Sequence, residues 1–367
     1  VIRLLAVDDS ALMRRLIGEI FSAEDGFEVH VARDGLEALA LLHSVKPDVI
    51  TLDVHMPQMD GLACLDRIML ERPCPVVMLS TLTTEGARET LEALSLGAVD
   101  FIAKPGGAIS LKVEQFAPVL VEKVRAAARA RLTRTHRLAE RIRFRAGLHA
   151  ASSPPEAPAA SFKRRPKIEP MAAGAARPTV LVGCSTGGPP ALDALLGPLP
   201  GSFPWPIVVA QHMPATFTPA LAQRLDRLCN LTVREIDTAI VPEPGHAYIA
   251  RGDTDLIFSR RGPNLVVLPA PANAAFRWHP SVDRLVDSAM DHMEPAGLVG
   301  ILMTGMGNDG AAAMHRLRQR GGHTIAEAEE TAVVWGMPGE LVRLGGAEFV
   351  RPVEHIAEAL LELAGAR

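Results

Sequence analysis

The sequence predicts an α/β protein made of two doubly wound, mostly parallel sheets joined by a flexible connector. Three observations carry that expectation. From Val1 to about Arg125, short apolar runs alternate five times with segments whose apolar residues fall at helical spacing. From about Thr179 to Arg367 the alternation returns. Between them lies a stretch rich in Ala, Pro, Ser and Arg that cannot bury a core. At 367 residues the chain is long enough for two domains, each with its own interior.

Composition narrows the function classes before any motif is read. Apolar residues at 48% and charged residues at 22% describe an ordinary soluble globular chain. A formal net charge of −4 argues against a nucleic-acid-binding output, which carries a clear basic excess. Cys64, Cys74, Cys184 and Cys229 form no C-x-x-C pair and have no His at metal-ligand spacing. Reduced thiols are therefore expected, not disulfides or zinc. The opening VIRLLAVDDS is too quickly acidic for a signal peptide, and no apolar run approaches the roughly 18 residues of a membrane span. The expected location is the cytoplasm, with no direct membrane insertion.

In the first segment, 1–125, strands are expected at Leu4–Val7, Phe27–Ala32, Asp48–Asp53, Val76–Ser80 and Asp100–Ala103. Such a sheet, covered by helices on both faces, binds ligands at the carboxyl ends of its strands. The unusual residues fall there: Asp8 and Asp9 after the first strand, Asp53 ending the third, Ser80 ending the fourth, Lys104-Pro105 after the fifth. Any one of these acids also reads as a helix cap or loop end. Three carboxylates on one rim repel each other, and Mg²⁺ relieves this with oxygen ligands, waters and a phosphate. Lys104 adds a fixed cation and Ser80 a hydroxyl suited to a phosphoryl oxygen.

Asp8-Asp9, DVHMPQMDG (Asp53–Gly61), Ser80 and Lys104-Pro105 together resemble the receiver domain of two-component response regulators, a flavodoxin-like (βα)5 fold. The resemblance implies that Asp53 accepts phosphate from a histidine kinase. It also implies that Asp8, Asp9 and Asp53, with the backbone carbonyl of His55, hold Mg²⁺, and that Ser80 and Lys104 read the phosphoryl group. Phe101, three residues before Lys104, matches the family's aromatic switch position and is equally consistent with a core Phe. His55 stands where relatives often carry Glu, a departure of little weight for a carbonyl ligand. Residues 126–178 are expected to run as an Arg-rich helical extension and then a flexible linker, with KRRPK (Lys163–Lys167) as a solvated segment.

The second segment, 179–367, is organised around VLVGCSTGGP (Val180–Pro189). A buried strand driven into a tight turn before a helix lifts one residue, Ser185, out of the sheet, and Gly183-Cys184-Ser185-Thr186-Gly187 fits G-x-S-x-G. The helix N-terminus behind it offers free N–H groups to an oxyanion. Gly/Ser-rich turns of this kind also bind phosphate or simply turn. Two further strand ends carry candidate chemistry: His212 in Gln211-His212-Met213-Pro214, and Asp309 in the Gly-rich Thr304–Gly310 loop. A serine needs a base near neutral pKa, and that imidazole needs a carboxylate to set its tautomer. His315, His323 and His355 are alternative bases and Cys184 an alternative nucleophile, though none is placed as well. His246 to Pro269 reads as antiparallel strands, a β-hairpin inserted into the sheet. No helix-turn-helix signature is present.

GCSTGG, QHMP, PSVD (Pro280–Asp283), TGMGNDG and VVWGMP (Val333–Pro338) resemble, in order, the catalytic domain of the chemotaxis protein-glutamate methylesterase/glutamine deamidase (CheB) family. The resemblance implies Ser185 as nucleophile, His212 as base and Asp309 as orienting carboxylate. The backbone N–H groups of Thr186 and Met306 are the candidate oxyanion hole. Cys184, His279 and Trp335 depart from the Ala, Arg and Tyr usual there. The implied function is a phosphorylation-activated esterase that hydrolyses glutamate methyl esters on chemoreceptors, with glutamine deamidation as a companion reaction. Mg²⁺ belongs to the receiver alone, and the esterase step needs no cofactor. Without phosphate, the receiver is expected to dock over the Ser185 rim. Two other readings stand beside this one: a phosphorylation-dependent docking protein with a vestigial hydrolase rim, and a small-ester esterase fused to a receiver.

Overall fold

The computed structural model describes residues 1–105, 109–130, 132 and 178–365. The helical extension and linker expected over 126–178 lie outside the described residues, apart from the end of one helix and a few positions at either edge; Lys163–Lys167 lie outside as well.

The first sheet holds β1 (Ile2–Val7), β2 (Phe27–Ala32), β3 (Val49–Asp53), β4 (Val76–Ser80) and β5 (Asp100–Ala103) in the order β2-β1-β3-β4-β5. All its pairings are parallel. Between the strands run α1 (Ala11–Ser22), α2 (Gly35–Val45), α3 (Gly61–Glu71) and α4 (Thr84–Leu96), and α5 (Ile109–Ala128) follows β5. The first four helices start on Ser10, Asp34, Asp60 and Thr83, whose side-chain oxygens accept the backbone N–H three residues on. Each such cap contributes about 1 kcal/mol. Every residue of β3 and β4 is buried, as central strands covered on both faces require. The chain reverses its direction of sheet growth between β1 and β3, so the crevice there lies directly beside Asp8 and Asp53.

The second sheet has seven parallel strands in the order β14-β13-β12-β6-β7-β9-β8. They are β6 (Thr179–Cys184), β7 (Ile207–Gln211), β8 (Thr232–Ile236), β9 (His246–Ala250), β12 (Leu298–Leu302), β13 (His323–Glu327) and β14 (Phe349–Arg351). Its helices are α6 (Gly188–Leu196), α7 (Thr218–Leu228), α8 (Val282–His292), α9 (Ala311–Gln319), α10 (Met337–Arg343) and α11 (Ile356–Leu363). Among the described residues, the one antiparallel hairpin is β10 (Asp255–Arg261) with β11 (Asn264–Ala270). His246–Ala250 was expected in that hairpin and instead pairs in parallel with β7 and β8. Burial explains the difference: four consecutive residues of β9 are buried, whereas the tip of β10 is exposed. β14 and α10 were not expected; three residues are too few to show a period, and α10 begins at a Met-Pro pair that reads as a loop. Among the described residues no helix is long and apolar enough to cross a membrane.

Candidate active site

The second sheet reverses its growth between β6 and β12, and the Ser185 turn and the Thr304–Gly310 loop leave the sheet at that crevice. The turn is tied to both neighbours: Ser185 N–H donates to Thr304 O at 2.9 Å, and His212 N–H donates to Cys184 O at 3.0 Å. Gly187 has φ +79°, which an L side chain rarely adopts. Gly305 is needed for a different reason, because a Cβ there would sit 2.8 Å from Ser185 Cβ. The loop of the third strand end thus passes directly beside the serine.

His212 and Asp309, 97 residues apart in sequence, are joined by a 2.8 Å hydrogen bond from imidazole Nε2 to Oδ2. Asp309 is gripped by the start of α8. Val282 N–H donates to its Oδ2 at 2.7 Å, while Asp283 N–H at 3.0 Å and Ser281 Oγ at 3.1 Å donate to its Oδ1. Burial pushes its pKa up, but the His212 bond and charge and the Asp283 and Val282 N–H groups outweigh this and leave it below the usual carboxylate value. Asp309 therefore stays ionised beside an imidazole it can orient. The other imidazole nitrogen, Nδ1, is buried and has no hydrogen-bond partner among the described residues. Ser185 lines the same cavity as His212, yet its hydroxyl is not bonded to that nitrogen. One link of the expected relay is present and the other is open.

The cavity has a volume of about 470 Å³, and its walls include Met213, Trp278, His279 and Met306 as well as Ser185 and His212. Among the described residues the backbone N–H groups of Thr186 and Met306 donate to no protein acceptor, which leaves them free for an oxyanion. Cys184 is fully buried and donates to Gln211 Oε1 at 3.0 Å, and burial pushes its thiol far above the usual range. That removes it as a rival nucleophile. Of the alternative bases, His315 bonds Gln319, His323 bonds Glu348 and His355 bonds Glu358, and none lines the cavity. His279 pairs with Asp255 at 2.9 Å, and Trp335 donates its indole N–H to Glu327 O at 3.0 Å.

Two residues that the sequence did not single out hold this arrangement. Gln211 donates from Nε2 to both Ser185 O and His212 O, each at 3.0 Å, so one amide ties the serine turn to the histidine. Glu327, at the end of β13, is 1% exposed. Its carboxylate accepts Thr304 N–H at 2.7 Å and Thr331 Oγ at 3.1 Å. Thr304 in turn donates from Oγ1 to Thr186 O at 2.8 Å and accepts Ser185 N–H at its carbonyl. Burial raises Glu327 to about 7 against the hydrogen bonds that lower it. Its only sequence signal is an acid closing the short strand HTIAE, which reads as an ordinary strand end.

On the first sheet, ligand oxygens of Asp8, Asp9 and Asp53 lie within 4.8 Å of one another. Lys104 Nζ is 2.8 Å from Asp8 Oδ2 and 2.7 Å from Asp53 Oδ2. Burial raises the Asp53 pKa, with Lys104 opposing it. One lysine cannot neutralise three carboxylates, and Asp8 Oδ2 is buried without a well-directed hydrogen bond. An all-oxygen donor set with residual negative charge fits a hard divalent cation. His55 reaches outward to Glu89 at 3.1 Å, leaving only its backbone at the rim. Ser80 is buried, and its hydroxyl donates to Gly86 O at 3.2 Å, turned to α4.

The two domains meet over the cavity. Leu82, Phe101–Pro105 and the α5 residues Phe116, Val119, Glu122 and Lys123 form its opposite wall. Thr186 Oγ donates to Asp100 Oδ2, and Lys123 Nζ holds the other Asp100 oxygen at 2.8 Å and Phe101 O at 2.9 Å. The Phe101 ring lies 4.4 Å from that of Phe217, so this residue is an interdomain contact in addition to a core one. Arg224, clamped on Asp193 at 2.7 Å through both nitrogens, reaches Ser95 at 2.8 Å.

Residues 180–360 match the CheB methylesterase family and residues 4–114 the response regulator receiver domain family. Among curated relatives, "Protein-glutamate methylesterase/protein-glutamine glutaminase 2" of Rhodopseudomonas palustris (strain BisB18) is 56% identical over 364 residues, 98% of each chain. "Protein-glutamate methylesterase/protein-glutamine glutaminase 3" of Rhodospirillum rubrum is 51% identical, covering 98% of this chain and 95% of its own. The crystal structure of the Thermotoga maritima CheB methylesterase catalytic domain matches with a TM-score of 0.50 and 38% identity, over 51% of this chain and 99% of that one.

Proposed function

This chain belongs to the CheB methylesterase family, and from that premise we propose that Ser185, His212 and Asp309 carry out the hydrolysis of glutamate methyl esters on chemoreceptor proteins. The protein is a carboxylic ester hydrolase with a receiver domain in front of it. Ser185 Oγ attacks the side-chain carbonyl while His212 takes its proton, and the charge that forms on the imidazole is stabilised by Asp309. The carbonyl oxygen becomes an oxyanion facing the N–H groups of Thr186 and Met306. His212 then returns the proton to methoxide, and methanol leaves. Water, deprotonated by the same imidazole, releases glutamate from the acyl-enzyme. With an amide in place of the ester, the leaving group is ammonia and the product is again glutamate.

The observation that carries the reading is the ionised Asp309 bonded to a cavity-lining imidazole whose second nitrogen is free. The open Ser185–His212 link accords with an apo site, where catalytic hydrogen bonds tighten on substrate binding. Methanol release from methyl-labelled receptor membranes is the test. The Ser185→Ala variant is expected to lose about 10⁴-fold or more in kcat, and a variant retaining the wild-type rate overturns the reading.

In the receiver, Asp53 is the phosphate acceptor for a histidine kinase, and Asp8, Asp9, Asp53 and the His55 carbonyl would hold Mg²⁺. The ion would neutralise the carboxylates and the incoming phosphoryl oxygens. Lys104 is already placed to meet a phosphoryl oxygen on Asp53. Ser80 must rotate away from Gly86 O to do so. Rotation of Ser80 and release of Phe101 from Phe217 would loosen the face that covers the cavity, shifting the population to an open form. Membrane association and nucleic-acid binding have no part in this reading, which places the enzyme in the cytoplasm.

A further inference from the structure

Beside the catalytic residues, the loop before α8 presents Arg277 at the edge of the cavity shared with Ser185 and His212. Its guanidinium lies over the Trp278 ring at 4.1 Å, and the Trp278 ring is 6.0 Å from the His212 imidazole. Stacking of this kind fixes the direction of a long side chain that would otherwise sample many rotamers. The guanidinium is thereby held within about 10 Å of the base, just under the length of two helical turns. Its carboxylate partner comes from the other domain: Arg277 Nη2 meets Glu122 Oε2, on α5, at 2.5 Å. The imidazoles on that wall, His212 and His279, are already paired with Asp309 and Asp255 of their own domain. When the receiver moves away, Arg277 is therefore left with no carboxylate among the described residues.

We propose that Arg277 is the docking point for an acidic side chain of the protein substrate, lying within two helical turns of the target glutamate, and that Glu122 occupies this point while the receiver is seated. The inference rests on the esterase reading above and adds to it a specificity residue and an exchange. While the receiver is seated, Glu122 neutralises the Arg277 guanidinium and the receiver covers its approach, so substrate engagement and receiver closure compete for a single group. Arg277 is largely exposed, so the pair is worth little as a staple. Its effect is selection: a protein with a carboxylate at the right distance is favoured over a small ester lacking one.

The test uses the full chain, with and without a small-molecule phosphodonor, on methyl-labelled receptor membranes and on p-nitrophenyl acetate. Glu122→Gln is expected to raise the unphosphorylated rate about two- to fivefold on both substrates. Arg277→Glu is expected to raise the unphosphorylated small-ester rate similarly, yet to lose about tenfold in kcat/KM on receptor membranes when phosphorylated, with the loss in KM. The exchange Glu122→Arg with Arg277→Glu is expected to bring the small-ester rate back down while receptor turnover stays impaired. If Arg277→Glu turns over receptors as fast as Glu122→Gln, or loses equally on both substrates, the inference is wrong. A wild type inactive on both substrates sinks the esterase reading itself, and this inference with it.

Discussion

Replacing Glu327 by Gln should make the second domain more stable at alkaline pH and leave it unchanged in acid. The carboxyl is raised from 4.5 to about 7, chiefly by burial. Between those two values the folded protein keeps a proton that the unfolded chain has released. Stability therefore falls as pH rises through this window and stays lowered above it. The shift corresponds to about 3 kcal/mol at most, since each pKa unit is worth about 1.4 kcal/mol. Gln keeps an oxygen for Thr304 N–H and offers an amide to Thr331 Oγ, so the substitution removes the titration without emptying the site. All three tryptophans, Trp205, Trp278 and Trp335, lie in this domain, so fluorescence follows its unfolding. Denaturation of both proteins from about pH 4.5 to 8 reads the difference, in which every other titrating group cancels. Expected is no difference near pH 4.5 and a gain of about 1–3 kcal/mol at pH 8, or roughly 2–4 °C in Tm per kcal/mol. A constant offset across the range refutes the argument, because a titrating carboxyl cannot produce one.

Asp309→Asn should lower kcat by about 10³- to 10⁴-fold, since the amide cannot stabilise the imidazolium. Asp309→Ala should in addition cost about 1–3 kcal/mol in denaturant unfolding, because three donors at the start of α8 lose their acceptor; a stable Ala variant would contradict the capping role. For Gln211→Leu, His212 O loses its donor, Ser185 O keeps only the N–H of Gly188, and Cys184 Sγ loses its acceptor; a stability loss of about 1–3 kcal/mol is expected together with slower ester hydrolysis. Wild-type stability in that variant would rule out the tie between Ser185 and His212. Asp100→Ala frees Thr186 Oγ from the receiver and should raise the unphosphorylated esterase rate by about two- to fivefold. An unchanged rate would mean the contact does not hold the domains together. Chelation with EDTA should abolish the phosphodonor-stimulated part of the rate and spare the unstimulated part; loss of both would show that the hydrolytic step itself needs a metal.

Most of the architecture was legible because it repeats a period. Apolar runs leading into Asp8-Asp9, Asp53, Ser80, Ser185 and the Thr304–Gly310 loop marked both sheets and their rims, since parallel strands carry ligands at their carboxyl ends. The Gly-rich turns around Ser185 and Asp309 were visible for a local reason, the backbone geometry they impose. What the tertiary structure decided depends on separations that no local pattern records. His246–Ala250 joined the main sheet because burial on both faces, not its neighbours in sequence, sets its place. Gln211 and Glu327 look like ordinary strand ends and become struts only when β6, β7, β12 and β13 lie side by side. The receiver's hold on the cavity, through Asp100, Phe101 and Glu122, joins residues more than 80 positions apart. Residue identity thus settled which chemistry is available, while the packing of distant segments settled which groups meet.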